Sequence, residues 1–227
     1  LSLVKDPRFG RNKLRITGTN PLPFPLPKSI SLLAKSMIVE DDPEHRRLRN
    51  LVQKAFAPKK IAAMEPRVES ISNQLMDVAK KRGKIDLQKD FALQIPTAVI
   101  GEMVGVSEEE MPKLQQSLQV LTSGLSGWNI LRTLFWDLSK AGSYMRELVA
   151  KKRLNPGEDI LSALIDAEED GQRLSEDEIV SMLFLLVIAG YETTVHLITN
   201  GVFTLLSHPD ELSRLRDNPE LMGSAVE

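Results

Sequence analysis

The sequence predicts a mainly α fold with little β structure, in which a helical array surrounds one long central helix. Helix starts and stops recur along most of the chain, and only one short segment suggests a strand. The longest apolar run, Ile179 to Gly190, follows a capping box at Ser175 to Glu178 and marks the central helix. With 227 residues, of which 42% are hydrophobic, the chain can bury a sizeable core as one domain or a large piece of one.

The first part of the chain, Asp6 to Val39, has no regular periodicity. Four prolines alternate there with apolar residues and exclude an interior helix or strand: Pro21, Pro23, Pro25 and Pro27. We expect a long surface loop with apolar contacts. A ligand for a polyproline-binding domain is the alternative interpretation.

Two helical regions follow this loop. Asp42-Pro43-Glu44 predicts a helix start, because it combines a capping carboxylate, a proline that needs no amide partner and an acid at the positive end of the helix. This helix should run to about Phe56. The second region, Ile61 to Arg82, is predicted to be helical with a break or new start near Pro66, and Gly83 ends it.

The middle of the chain alternates short and long elements. Lys84 to Leu87 suggests a short strand, and Phe91 to Val104 a buried helix broken near Pro96. Ser107 to Glu110 opens an amphipathic helix that ends before a turn at Gly124 to Gly127.

The second half of the chain contains the longest helices. Trp128 to Leu154 is predicted to form one of them, Ile160 to Ala167 a short one, and Asp170-Gly171 a turn. The central helix then runs from the capping box to about Ser207. Two short helical pieces complete the chain, opened by Pro209 and Pro219.

Composition narrows the classes of partner. The net charge is −2, so neither nucleic acid nor an anionic membrane surface is expected as the main partner. The chain has no cysteine, which agrees with the reduced, cytoplasmic location that we expect. Leu1 to Gly10 lacks the apolar core of a signal peptide, and the apolar run is well short of the ~20 residues of a membrane anchor.

The central helix carries a chemically unusual segment. Gly190 and the ionisable Glu192 interrupt its apolar run, and each is costly in a buried helix. At helical spacing Ala189, Glu192, Thr193 and His196 share one face. We therefore expect a small cavity lined by an alcohol and an acid, where Thr193 bonds the Ala189 carbonyl and loosens the helix.

This segment resembles the oxygen-binding helix of the cytochrome P450 family, whose pattern is Ala-Gly-x-Glu-Thr-Thr. The resemblance implies that Ala189 and Gly190 form the groove that holds O2 as co-substrate. Thr193 and Glu192 would be the catalytic alcohol and acid of a proton relay, because iron-bound dioxygen must receive two protons before its O–O bond breaks.

A second pattern lies in the helix after Asp42. His45 and Arg49 stand four residues apart on one edge, where a solvated basic face is the plain interpretation. Asp-Pro-x-His-x-x-x-Arg also resembles the family's helix that holds the haem propionates. The resemblance implies that His45 and Arg49 bind the carboxylates of haem b, iron protoporphyrin IX, and that Met37 and Ile38 touch the porphyrin.

The resemblance covers essentially the whole chain and implies a single, incomplete cytochrome P450 domain over residues 1–227. Its parts would be a substrate-access loop region at 1–42, a propionate-binding helix at 43–57, the central distal helix at 175–207, and the start of the next helices at 208–227. The family's metal ligand is a cysteine, so the axial ligand is expected beyond this chain.

The implied reaction is the insertion of one oxygen atom into a small hydrophobic or amphipathic substrate. Electrons would come from NAD(P)H through a ferredoxin or flavodoxin, because the chain has no flavin-binding or reductase motif. Two alternatives stay open. One is a helical metal-carboxylate oxidase with Glu192 and His196 as ligands, and the other is a non-catalytic helical interaction module.

Overall fold

A computed structural model of the chain describes residues 10–12, 18, 36–56, 58–122, 137–169 and 171–227. These ranges are mainly helical, which confirms the predicted fold class. The elements in chain order are α1 (Glu44–Ala55), α2 (Pro58–Ala62), α3 (Glu65–Arg82), a π-helix (Leu87–Ala92), α4 (Gln94–Met103), α5 (Met111–Thr122), α6 (Leu138–Leu154), α7 (Ile160–Asp166), β1 (Glu168–Glu169), β2 (Gln172–Arg173), α8 (Glu176–Ser207), α9 (Pro209–Asp217), a 3-10 turn (Pro219–Leu221) and α10 (Met222–Val226).

The central helix is α8, which is 32 residues long. It begins with the predicted capping box, in which Glu178 N–H donates to Ser175 Oγ and Ser175 N–H donates to the Glu178 carboxylate. The first half of α8 packs against α4, α5, α6 and the π-helix. By length and composition α8 could cross a bilayer, but half of its most apolar stretch is buried, as in the core helix of a folded domain.

The hydrophobic core lies around this first half of α8. Leu48, Leu51 and Ala55 are buried on α1, which packs against α7 and contacts β1. Their burial stabilises the fold by roughly 25 cal/mol for each Å² of apolar surface removed from water. The largest fully buried side chains are Phe184, Leu48, Leu51, Leu114, Leu118, Met145, Leu161, Leu164, Ile179, Leu183, Val104 and Val149.

A buried ion pair joins α6 to the beginning of α7. Lys152 Nζ lies 2.6 Å from Asp159 Oδ2, and the two side chains are only 14% and 7% exposed. Asp159 also caps α7 by accepting a hydrogen bond from Ser162 N–H at 2.8 Å. The chain after α4 passes directly over this pair at Gly105, whose φ is +67°, and a Cβ there would collide with both charged groups.

Local signals predicted several element boundaries correctly. Gly83 ends α3 with a φ of 70°, and α3 starts at Glu65 with Pro66 in its first turn. Gly171 turns the chain with a φ of 75° between two short antiparallel strands, which the sequence pattern did not predict. The proline-rich loop, the Gly124 to Gly127 turn and the first part of the Trp128 to Leu154 helix lie outside the described residues.

Other predictions were wrong in detail. Lys84 to Leu87 is not a strand, because the Asp86 carboxylate accepts hydrogen bonds from the amides of Gln88 and Lys89 and starts the π-helix there. The predicted break near Pro96 occurs at Leu93 instead. Pro96 falls in the first turn of α4, where no amide donor is needed.

Helix α1 begins at Glu44 as predicted but without the predicted cap, and α5 begins later than predicted. The Asp42 carboxylate does not cap α1; it accepts a hydrogen bond from Arg46 at 2.6 Å. Ser107 to Glu110 forms a turn, and α5 begins only at Met111.

Candidate functional site

The Ala189 to Thr194 segment lies where α8 leaves the buried core. Ala189, Glu192, Thr193 and His196 are all exposed among the described residues. As predicted, the Thr193 hydroxyl donates a hydrogen bond to the Ala189 carbonyl oxygen. Within the described ranges, the side chains of Glu192 and His196 have no hydrogen-bond partner. This face of α8 therefore presents the Glu192 carboxylate and the His196 imidazole without partners among the described residues. The Thr193 hydroxyl lies beside them and is bonded only to the Ala189 carbonyl.

An open cavity of about 550 Å³ lies beside this segment, between α8 and helices α1, α3 and α4. Ala189, Gly190 and Thr194 line its α8 side. The predicted alcohol and acid, Thr193 and Glu192, do not line it. The described helices cover the side of α8 on which Thr194 lies, so the cavity forms on that side and Thr193 remains outside it.

The backbone at Gly190 is accessible from the cavity. A Cβ added there would lie 3.7 Å from Ile100 Cδ1, which is an ordinary van der Waals distance. Packing against described residues therefore does not require a glycine at this position. The absence of a side chain leaves open space beside the backbone of α8.

Helix α1 carries the second predicted pair, His45 and Arg49, on the same helical line as two residues that line the cavity. His45, Arg49, Val52 and Phe56 are spaced by four, three and four residues, so they form one line along the helix. Val52 and Phe56 line the cavity. His45 and Arg49 do not line the cavity; they continue the helical line beyond its apolar wall.

The arginines of α1 differ in how they are paired. Arg46 donates to Asp42 at 2.6 Å, and Arg47 donates to Glu44 at 2.8 Å and also to Glu178. Arg49 is exposed and has no hydrogen-bond or ion-pair partner in the described part of the chain. The His45 imidazole is about one third exposed, with Nδ1 3.7 Å from Asp42 Oδ1. Arg49 therefore keeps its donors available for an anionic group.

The two residues predicted to touch the porphyrin are placed differently. Met37 is partly buried and lines the cavity. Ile38 is 49% exposed and lies outside the cavity lining, while its carbonyl accepts a hydrogen bond from Arg11 at 3.3 Å. The structure therefore brings Met37 to the candidate site and leaves Ile38 at its margin.

The metal-carboxylate alternative lacks supporting geometry. A carboxylate-bridged metal site needs several Glu and His side chains from different helices around one point. In the ranges that the structure describes, no group of three His, Asp or Glu residues is arranged to hold a metal ion. Glu192 and His196 therefore have no further ligands there.

Sequence reasoning missed several residues that line the cavity. The spacing of Val52 and Phe56 from Arg49 was readable, because it continues the same helical line. Gly190 was identified from the sequence. Whether Thr193 or Thr194 lines the cavity depends on which side of α8 the neighbouring helices cover, and the sequence does not show this.

Comparison with known proteins gives a consistent result. The family model described as Cytochrome P450 matches residues 20–221. Cytochrome P450 107B1 of Saccharopolyspora erythraea is 41% identical over 195 residues, which is 86% of this chain and 47% of that protein.

Solved structures agree in fold. The cytochrome P450 PksS of the Bacillus subtilis 168 bacillaene polyketide synthase has a TM-score of 0.88 at 35% identity, covering 99% of this chain and 55% of that one. The myxobacterial cytochrome P450 CYP267B1, in complex with myristic acid, has a TM-score of 0.84 at 37% identity, covering 99% and 56%. The chain spans about half the length of these relatives.

Proposed function

The chain belongs to the cytochrome P450 family, and from this premise we propose that the whole protein is a haem-dependent monooxygenase. It inserts one oxygen atom from O2 into an apolar or amphipathic organic substrate, and the other oxygen atom leaves as water. The electrons come from NAD(P)H through a ferredoxin or flavodoxin. We place the protein in the cytoplasm.

The observation that carries this proposal is the line of side chains on α1. Haem b is a planar apolar group with two carboxylates at one edge. His45 and Arg49 offer an imidazole and a guanidinium as donors at one end of the line, and Val52 and Phe56 offer apolar surface at the other. The unpaired Arg49 guanidinium suits a carboxylate through its fork of donors. The residues present therefore fit haem, with His45 and Arg49 as the propionate ligands and Met37 at its face.

Bound haem supplies the reductive activation of dioxygen. The chain's own residues supply space and protons. Ala189 and Gly190 leave room beside the α8 backbone, and the exposed Glu192 carboxylate exchanges protons with solvent. The Thr193 hydroxyl donates to the Ala189 carbonyl, so its Oγ1 lone pairs are left to accept a hydrogen bond from a proton-carrying group bound beside the helix.

A thiolate that would hold the haem iron would have to come from outside these 227 residues. Thiolate ligation is the family's way of holding haem iron, and the chain contains no cysteine. We therefore propose that this chain contributes only the distal half of the site. The half-length coverage of its relatives supports this proposal.

Beside the Val52, Phe56 and Met37 wall assigned to haem, the rest of the cavity suits an apolar or amphipathic substrate best. Its lining is almost entirely apolar, and Thr194 is its main polar side chain. The structure of CYP267B1 with myristic acid supports the same substrate class, because that ligand combines an alkyl chain with one carboxylate.

The test is a carbon monoxide difference spectrum of the reduced full-length protein, with a pyridine haemochromogen assay on the same sample. We expect the Soret band of thiolate-ligated haem and the haemochromogen of haem b. The reduced sample without carbon monoxide is the reference. Iron without haemochromogen would point to the metal-carboxylate class, and a protein without iron would overturn the proposal.

A further inference from the structure

An ion pair links the two helices that carry the candidate site. Arg47 on α1 donates a hydrogen bond to the Glu178 carboxylate in the first turn of α8, 131 residues further along the chain. Helix α1 otherwise packs mainly on α7 and contacts β1. The Arg47–Glu178 pair is therefore a polar connection between α1 and the start of α8.

Glu178 is held in place by its own capping box, independently of Arg47. Its carboxylate accepts hydrogen bonds from Ser175 N–H and Ser175 Oγ, both at 2.7 Å, as part of the capping box. Burial by itself would raise the pKa of Glu178, but the hydrogen bonds from Ser175 and Arg47 hold this pKa below its ordinary value. The carboxylate is thus a fixed, charged anchor at the end of α8.

Arg47 does not face the cavity. It lies two residues from both His45 and Arg49, so helical geometry places it on the opposite side of α1 from their line. Its side chain is 24% exposed and that of Glu178 is 19% exposed, so water screens their attraction only in part. An effect of Arg47 on the site must therefore pass through the position of α1.

We infer that Arg47 is a positioning residue: its ion pair with Glu178 fixes α1 against the start of α8 and so holds His45 and Arg49 at the distance that the haem propionates require. This inference rests on the proposed function, because it needs haem as the bound group. The capping box fixes the Glu178 carboxylate, and helix α1 transmits the position of Arg47 to His45 and Arg49.

The test measures how fast the full-length protein loses haem to an excess of apomyoglobin. We expect Arg47→Gln to lose haem about tenfold faster than wild type, since a hydrogen bond between charged groups is broken. Glu178→Gln should behave similarly, because glutamine keeps the capping box but not the charge. The double variant should resemble either single variant, and Arg47→Lys should recover most of the loss.

The matched control is Arg146→Gln. Arg146 on α6 pairs with Asp177 at 2.9 Å, at the same end of α8, so its ion pair ties α8 to α6 and not to α1. Even if Arg146→Gln lowers the free energy of unfolding as much as Arg47→Gln does, it should lose haem at the wild-type rate. The inference is overturned if Arg47→Gln loses haem like the control, or if the two single effects add independently. A wild-type protein that holds no haem overturns the proposed function itself, and this inference with it.

Discussion

The Thr193 hydroxyl donates a hydrogen bond to the Ala189 carbonyl oxygen, one turn earlier in α8. That carbonyl lies where the helix borders the open cavity, beside the bare backbone of Gly190. A side chain that bonds back to the preceding turn weakens the regular helical bond at that point. Thr193 thus both shapes α8 and presents its oxygen on the exposed face of the helix.

Replacing Thr193 with alanine should uncouple electron use from product formation. We expect Thr193→Ala to retain haem but to release most of its reducing equivalents as hydrogen peroxide, with product per NAD(P)H falling by about tenfold or more. Thr204→Ala is the matched control, because Thr204 is an exposed threonine of the same helix that does not line the cavity. NAD(P)H, peroxide and product are measured together, and unchanged coupling in Thr193→Ala would contradict the relay.

Removing either propionate donor should weaken haem retention. We expect His45→Ala and Arg49→Ala to release haem about tenfold faster, because each removes a charge-assisted hydrogen bond. Arg46→Ala is the control, since Arg46 pairs with Asp42 and is 74% exposed. Equal haem occupancy in all variants after gel filtration would refute the assignment.

Gly105 should tolerate no side chain. An alanine there would collide with the Lys152 ammonium and the Asp159 carboxylate, so we expect Gly105→Ala to lower the free energy of unfolding by about 3 kcal/mol. Gly171→Ala is the control, because Gly171 also has a positive φ but open space around it. Its cost should be about 1 kcal/mol, from backbone strain alone. If denaturant titrations give the same loss of unfolding free energy for both variants, the Lys152–Asp159 pair must move aside without cost and the prediction is wrong.

The phenol of Tyr144 should be dispensable for stability. Burial, reinforced by the nearby Glu110 and Glu147 carboxylates, raises the pKa of Tyr144 to about 12. Its hydroxyl is buried and has no hydrogen-bond partner among the described residues. Tyr144→Phe removes this unsatisfied group, and we expect unfolding to cost about 1 kcal/mol more. A destabilised variant in the same denaturant titration would reveal a partner for the hydroxyl.

Acid should weaken the α1–α8 link. The pKa of Glu178 is lower in the folded protein than its ordinary value of 4.5, so the unfolded chain binds a proton more readily. The resulting stabilisation is complete above that value and disappears as the pH falls through the folded-state pKa. The difference in unfolding free energy between wild type and Glu178→Gln should therefore shrink as the pH falls below about 4.5. If the difference in unfolding free energy between the two proteins stays constant across this pH range, the pKa of Glu178 is not lowered by folding.

Local chemistry explains which parts of the fold could be predicted from sequence. The capping box at Ser175 and the αL glycine at Gly83 act within one turn of the chain, so both appeared where expected. Asp86 and Asp42 could each cap or pair, and their outcome depended on neighbours. Asp86 starts the π-helix, whereas Asp42 pairs with Arg46.

The candidate site divides along the same lines. The line from His45 through Arg49 to Phe56 is a property of one helix, so its residues could be chosen from spacing. The distinction between Thr193 and Thr194 is tertiary, since it depends on which side of α8 the other helices cover. The Arg47–Glu178 pair joins positions 131 residues apart, which no local pattern reveals.

The second half of α8 has a practical consequence. Leu197, Phe203 and Leu206 are 55%, 70% and 65% exposed, although the first half of the same helix is buried. Phe203 and Leu206 lie one turn apart on the helix, and exposed apolar surface of this kind promotes self-association and aggregation in water. Produced as these 227 residues alone, the polypeptide would be limited by solubility before any question of activity arose. Charged substitutions at Phe203 and Leu206 would be the first means of keeping it in solution.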